Sequence, residues 1–173
     1  MKDFTHLDEK GKATMVDVSE KNISHRIAVA RSIVVLPDEV LEKLNDGDIQ
    51  TKKGSVFQTA IIAGIMAAKK TGELIPLCHP LGLENCNINI HVNEQQELVI
   101  DCTASITAKT GVEMEALVGA SITALTVYDM CKALSHDIVI RETKLMEKIG
   151  GKRDGKATPF IKKPILKFNK RVS

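Results

Sequence analysis

Aromatic residues are scarce in this chain. It has no Trp, one Tyr and four Phe in 173 residues, so its core has to be built from Ile, Val, Leu, Ala and Met. Few rings are left on which exposed bases could stack, which argues against single-stranded nucleic-acid binding. No apolar run approaches the roughly 18 residues that would span a bilayer. The N-terminus also lacks the basic-then-apolar pattern of a secretory signal. None of the four cysteines, Cys78, Cys86, Cys102 and Cys131, belongs to a C-x-x-C pair. Three of them, Cys86, Cys102 and Cys131, sit among apolar neighbours, as buried free thiols of a reducing compartment do. A cytoplasmic protein that does not enter membranes is expected. Internal repeats are missing too, and so is the Gly-x-x-x-x-Gly-Lys pattern of a P-loop, which excludes an NTPase of that kind.

What remains is the composition of one ordinary globular domain, 43% apolar and 27% charged, long enough to bury a core. The net charge of +2 conceals an uneven distribution: residues 1–152 carry a balance of −4 and residues 153–173 one of +6. Three regions are expected: a polar, turn-rich N-terminal arm or loop over 1–23, a single α+β domain over 24–152, and a basic tail over 153–173. The tail holds Arg153, Lys156, Lys162, Lys163, Lys167, Lys170 and Arg171. It reads either as an arm for nucleic acid or another acidic partner, or as a solvated surface segment.

Hydrophobic periodicity supplies the elements. Residues 24–36 read as a strand with Ile27, Val29, Ile33 and Val35 on its apolar face. A short helix is expected over 38–44, stopped by Asn45-Asp46-Gly47. Ser55 is placed to N-cap a long helix through Lys70. Residues 85–107 alternate cleanly: Cys86, Ile88, Ile90 and Val92, then Leu98, Ile100, Cys102, Ala104 and Ile106, define one apolar face of a hairpin. A second long helix is expected over 114–134 and a last strand from Asp137 to Glu142 or beyond. The series points to an antiparallel sheet with two helices on one face, ferredoxin-like in outline.

Three segments depart from this patterning. In Leu77-Cys78-His79 the imidazole lies between Pro76 and Pro80, a stiff loop in which His79 is either an acid/base group or a structural histidine. In Lys109-Thr110-Gly111-Val112-Glu113-Met114-Glu115, a helix N-terminus suited to an anion also carries Glu113 and Glu115. Those acids either stabilise the first turn or hold the donor edge of a ligand. Asp129 and Lys132 stand three positions apart after an uncharged helical run, as an ion pair or as a catalytic pair. Lys52-Lys53 precede a helix start, a natural phosphate cradle. Arg26 sits on the less apolar side of the first strand, with Ala28 and Ala30.

In combination these segments are distinctive. Thr5-His6-Leu7-Asp8, Met15-Val16-Asp17-Val18-Ser19, Ile75 to Leu81, Lys109 to Leu117 and Ala124 to Ala133 follow one another in this order. The chain thereby closely resembles the MoaC family, the cyclic pyranopterin monophosphate synthases of molybdenum-cofactor biosynthesis, from about residue 4 to residue 152. The resemblance implies a ferredoxin-like subunit in a homohexamer, a trimer of dimers with sites at subunit interfaces. It implies a lyase acting on 3′,8-cyclo-7,8-dihydroguanosine 5′-triphosphate, without a redox cofactor and without a metal held by protein ligands, with Mg²⁺ accompanying the triphosphate left open. By the same resemblance Lys53, Asp129 and Lys132 are the catalytic residues. Leu77, Cys78, His79, Glu113, Met114, Glu115 and Arg26 contact substrate, and Lys148 and Lys152 add cations for its phosphates. One departure stands out: the family's Lys-Ser-Gly-Gly-Lys-Ser-Gly ending is here Lys148-Ile149-Gly150-Gly151-Lys152-Arg153-Asp154-Gly155.

Overall fold

The alternation in residues 85–107 becomes a β-hairpin at one edge of a five-stranded antiparallel sheet. In the computed structural model, which describes residues 6–8, 10–151 and 154–156, β1 (Ser24–Val35) leads to the short helix α1 (Asp38–Leu41) and the short strands β2 (Leu44–Asn45), β3 (Asp48–Thr51) and β4 (Gly54–Ser55). Helix α2 (Val56–Lys69) and the single-turn α3 (Thr71–Leu74) precede the hairpin of β5 (Asn85–Val92) and β6 (Glu97–Ala108). Helix α4 (Glu113–Cys131) then leads into β7 (Val139–Ile149) and the two-residue β8 (Gly155–Lys156). The sheet order is β5-β6-β1-β7-β8 with every pairing antiparallel. With α2 and α4 as the crossovers, this is the β-α-β-β-α-β arrangement of ferredoxin-like folds.

Both long helices pack on one sheet face. Ser55 caps α2 as expected, its hydroxyl accepting the Gln58 N–H at 3.0 Å. The core between helices and sheet is aliphatic and built of small residues: Ala60, Ala116, Ala120 and Ala124 from the helices meet Ala28, Ala30, Cys102 and Ala104 from the strands, all of them fully buried. Gly64 lets α2 and α4 touch, since a Cβ there would lie 2.0 Å from the Thr123 hydroxyl and 2.8 Å from the Gly119 carbonyl.

That close approach corrects the reading of β1. The helix-facing side is Ala28, Ala30, Ser32 and Val34, paired with Ala104, Cys102, Ile100 and Leu98, whereas Ile27, Val29, Ile33 and Val35 face the other way. Both sides of this strand are apolar, so periodicity alone could not choose; a helix lying close over the central strand selects the smaller side chains. The short helix over 38–44 is also corrected: it ends at Leu41 and the chain turns into β2. Helix α4 stops at Cys131 rather than Leu134. Strand β7 runs to Ile149 through register shifts opposite Val29/Ala30 and Ile33/Val34, and such bulges erase the period-two pattern that would have marked its length.

Candidate active site

The N-terminal end of α4 meets three other segments, and two adjoining cavities open there. The larger, about 930 Å³, is lined by Arg26 and Ser24 of β1, Lys148 and Ile149 of β7, Lys109 to Gly111, Glu113, and the Asp17–Asn22 loop. The smaller, about 240 Å³, lies between Val16, Val18, Leu77, Cys78, His79, Met114 and Glu115. Lys21, Thr110, Gly111 and Glu113 border both.

Local chemistry sets each group. Arg26 follows Ala28 and Ala30 along the same side of β1 and emerges beyond the start of α4. Its guanidinium donates only to the Ala108 and Lys109 carbonyls, at 3.3 and 3.4 Å, so among the described residues no carboxylate neutralises it. Lys148 donates to Glu113 Oε1 at 3.1 Å. The Glu113 carboxylate folds back over Gly111, where a Cβ would stand 2.0 Å from its Oε2. Gly150 closes the rim with φ +88°, and a side chain there would strike the His25 carbonyl at 1.9 Å.

In the smaller cavity His79 Nε2 lies 2.9 Å from the Val16 carbonyl. A carbonyl only accepts, so Nε2 carries the proton and Nδ1 is the ring nitrogen left for a ligand. Glu115 is 3% exposed. Burial pushes its carboxyl up, its own backbone N–H offsets part of this, and the Glu113 charge adds to the rise. Burial likewise raises the Cys78 thiol, helped by the charge of Glu115. The loop over residues 15–22 closes over the cavities, held by the His79 contact and by Lys109 Nζ donating to the Ser19 carbonyl at 2.7 Å.

The structure thus gathers Arg26, Leu77, Cys78, His79, Glu113, Met114, Glu115 and Lys148 at one end of α4. It does not bring Asp129, Lys132 and Lys53 to them. Those three stand at the opposite end of α4, about 24 Å along its axis at 1.5 Å per residue, and line neither cavity. There Lys132 Nζ donates to Asp129 Oδ1 at 2.7 Å, both side chains exposed. The bond to Lys132 holds the Asp129 carboxyl below its usual range, with a smaller pull from Lys53; in return Asp129 raises the Lys132 ammonium. Asp129 thus favours the charged form of the exposed Lys132 ammonium. Lys152 lies outside the described residues, as does the basic tail apart from residues 154–156, where Lys156 pairs with Glu147 at 3.2 Å.

Residue-level reading missed Lys21, and it left Lys109 as part of a motif without a role. Both are recognisable only in three dimensions, because nothing in a polar loop indicates which element it covers. Among the described residues no group of three or more His, Cys, Asp or Glu side chains is arranged to hold a metal ion, and no helix is long and apolar enough to cross a membrane.

A ferredoxin-like fold whose cleft is lined by four cations, Lys21, Arg26, Lys109 and Lys148, and three acids, Asp17, Glu20 and Glu113, and adjoins an imidazole and a buried carboxyl, has the features of a small-molecule site. The sequence comparisons narrow this class. A sequence model of the MoaC family matches residues 15–151, and the chain belongs to that family. It is 53% identical over 151 residues to the cyclic pyranopterin monophosphate synthase of Xanthomonas campestris pv. campestris (strain 8004), covering 87% of this chain and 92% of that protein. It is 51% identical over 161 residues to the molybdenum cofactor biosynthesis bifunctional protein of Synechocystis sp. (91% of this chain, 46% of the relative). Against molybdenum cofactor biosynthesis protein 1 of Dictyostelium discoideum the identity is 52% over 167 residues (87% of this chain, 26% of the relative). The chain therefore spans almost all of the first relative and less than half of the other two.

Proposed function

We propose that this protein is a lyase that converts 3′,8-cyclo-7,8-dihydroguanosine 5′-triphosphate into cyclic pyranopterin monophosphate and pyrophosphate in molybdenum-cofactor biosynthesis. The observation that carries the reading is the paired cavity. Arg26, Lys21, Lys109 and Lys148 supply charge-assisted hydrogen bonds for a triphosphate. The adjoining pocket offers His79 and Glu115 to a guanine-like edge, whose N–H donors suit a carboxylate acceptor. Closing the cyclic phosphate requires a substrate hydroxyl to attack the α-phosphorus while the α–β bridging bond breaks and pyrophosphate leaves. Cations around the phosphates stabilise the charge that develops on the leaving group.

Lys53, Asp129 and Lys132 belong in the same site, which they reach from a second copy of the chain. A homohexamer, a trimer of dimers, juxtaposes the C-terminal end of α4 in one subunit with the cleft at the N-terminal end in another. Lys53 and Lys132 between them supply proton transfer and a clamp on the phosphates, with Asp129 paired to Lys132. No redox cofactor is needed, and any Mg²⁺ would accompany the triphosphate. The free thiols suit a cytoplasmic location.

The test is turnover of the cyclised GTP derivative by the purified protein beside Lys53→Ala and Asp129→Ala, reading pyrophosphate and cyclic pyranopterin. Product from the parent and a loss of about 10²-fold or more in each variant is expected, the usual scale for removing a proton-transfer group. A folded, oligomeric parent that forms no product would overturn the assignment.

A further inference from the structure

The Lys52-Lys53 turn is held from below by a carboxylate that the reaction scheme does not use. Asp48 opens β3, the turn follows, and β4 passes directly into α2. Asp48 Oδ1 accepts the Ile49 N–H at 2.6 Å and the Phe57 N–H at 2.9 Å, while Oδ2 bonds the Ser55 hydroxyl. Ser55 in turn accepts the Gln58 N–H at 3.0 Å. One half-buried carboxylate thus ties the base of the hairpin to the first turn of α2, where Ile49, Val56 and Phe57 are sunk in the core. Above it, Thr51 Oγ1 donates to the Gly54 carbonyl at 3.0 Å and accepts the Lys53 N–H at 3.1 Å. The backbone of Lys53 is therefore fixed at the tip of a short, doubly anchored hairpin. Its base reaches the end of α4 as well: the Asp48 charge acts on the Cys131 thiol, and the Lys53 charge on Asp129.

We infer that Asp48 is the positioning residue for Lys53, setting where its ammonium stands relative to Asp129 and Lys132. The inference rests on the function proposed above for Lys53. Such a role concerns geometry rather than substrate affinity: displacing a reacting group by about 1 Å can cost on the order of 10²-fold in rate.

The experiment compares Asp48→Ala, Asp48→Asn and Ser55→Ala in the full-length protein. It measures kcat and KM for the cyclised triphosphate, and amide hydrogen exchange at Lys53 and Phe57. Asp48→Ala is expected to lower kcat at least tenfold with KM within about threefold, and to speed exchange at both amides at least tenfold. Asp48→Asn keeps the Oδ1 acceptor and recovers most of both. Ser55→Ala removes one of the bonds, gives an intermediate loss, and decides the matter if Asp48→Ala does not fold. In a Lys53→Ala background, Asp48→Ala should cost little more under single-turnover conditions, because the two substitutions remove one contribution. An equal further loss there would mark Asp48 as merely structural and overturn the inference, as would faster exchange with unchanged kcat. If the parent shows no turnover the enzymatic reading fails by itself. The exchange arm still stands, and unchanged exchange at Lys53 in Asp48→Ala would overturn the clamp independently.

Discussion

At the scale of single residues, Glu115 carries a burden that its neighbour Glu113 does not. Glu113 has Lys148 at 3.1 Å, whereas Glu115 is buried with no ion-pair partner among the described residues, and burial pushes its carboxyl up. An acid whose folded-state value lies above its unfolded value of about 4.3 binds protons more readily in the fold. Stability is then highest below the unfolded value and falls as pH rises through the folded one. Glu115→Gln keeps the shape and removes the charge. It should melt together with the parent near pH 4 and above the parent at neutral pH, in thermal scans across that range. Identical melting at every pH would show that no buried charge forms. The family motifs name the candidate site residues, and the structure gathers eight of them at one end of α4. What the motifs left open was whether Asp129 and Lys132 pair, and the structure places Lys132 Nζ 2.7 Å from Asp129 Oδ1.

At the scale of elements, the close crossing of α2 over α4 depends on Gly64. Gly64 sits at the point of contact, facing the Thr123 hydroxyl, the Gly119 carbonyl and Ile88 Cδ1 within 2.0 to 2.8 Å of where a Cβ would be. Two of these belong to a helix that cannot yield without moving the core. Gly64→Ala should therefore destabilise by about 1–3 kcal/mol, the usual cost of overpacking, measured by urea denaturation at constant m-value. Loss below about 0.5 kcal/mol would mean that the helices separate easily. The hairpin of β5 and β6 was legible to within a residue at its ends because one face is apolar and the other polar. The face of β1 was not, because both sides are apolar and the choice was made by the volume that α4 leaves above Ala28 and Ala30. Strand β7 was half-legible, its bulges at Arg141 and Met146 breaking the alternation. The β3–β4 hairpin left no periodic signal at all, since strands of four and two residues are too short to repeat one.

At the scale of the whole molecule, the proposed site residues fall into two groups at opposite ends of one helix. The cleft half contains Arg26, His79, Glu113, Glu115 and Lys148; the other half contains Lys53, Asp129 and Lys132. Their separation follows from the length of α4, 19 residues, and no side-chain rotation bridges about 24 Å. If the proposed reaction needs both halves, each complete site has to be drawn from two copies, and symmetric assembly supplies this without further parts. Sequence motifs cannot reveal such an arrangement, because residues from both halves occur in one chain whether or not they meet. The most direct measurement mixes two variants, Arg26→Ala in the cleft half and Asp129→Ala in the other, each inactive when alone. They are dissociated, recombined at equal amounts and assayed for cyclic pyranopterin. Sites shared between copies should regain about a quarter of parent activity, the statistical share that receives both intact halves. Recombined oligomers that stay inactive would contradict a shared site and return the chemistry to one cleft within one chain.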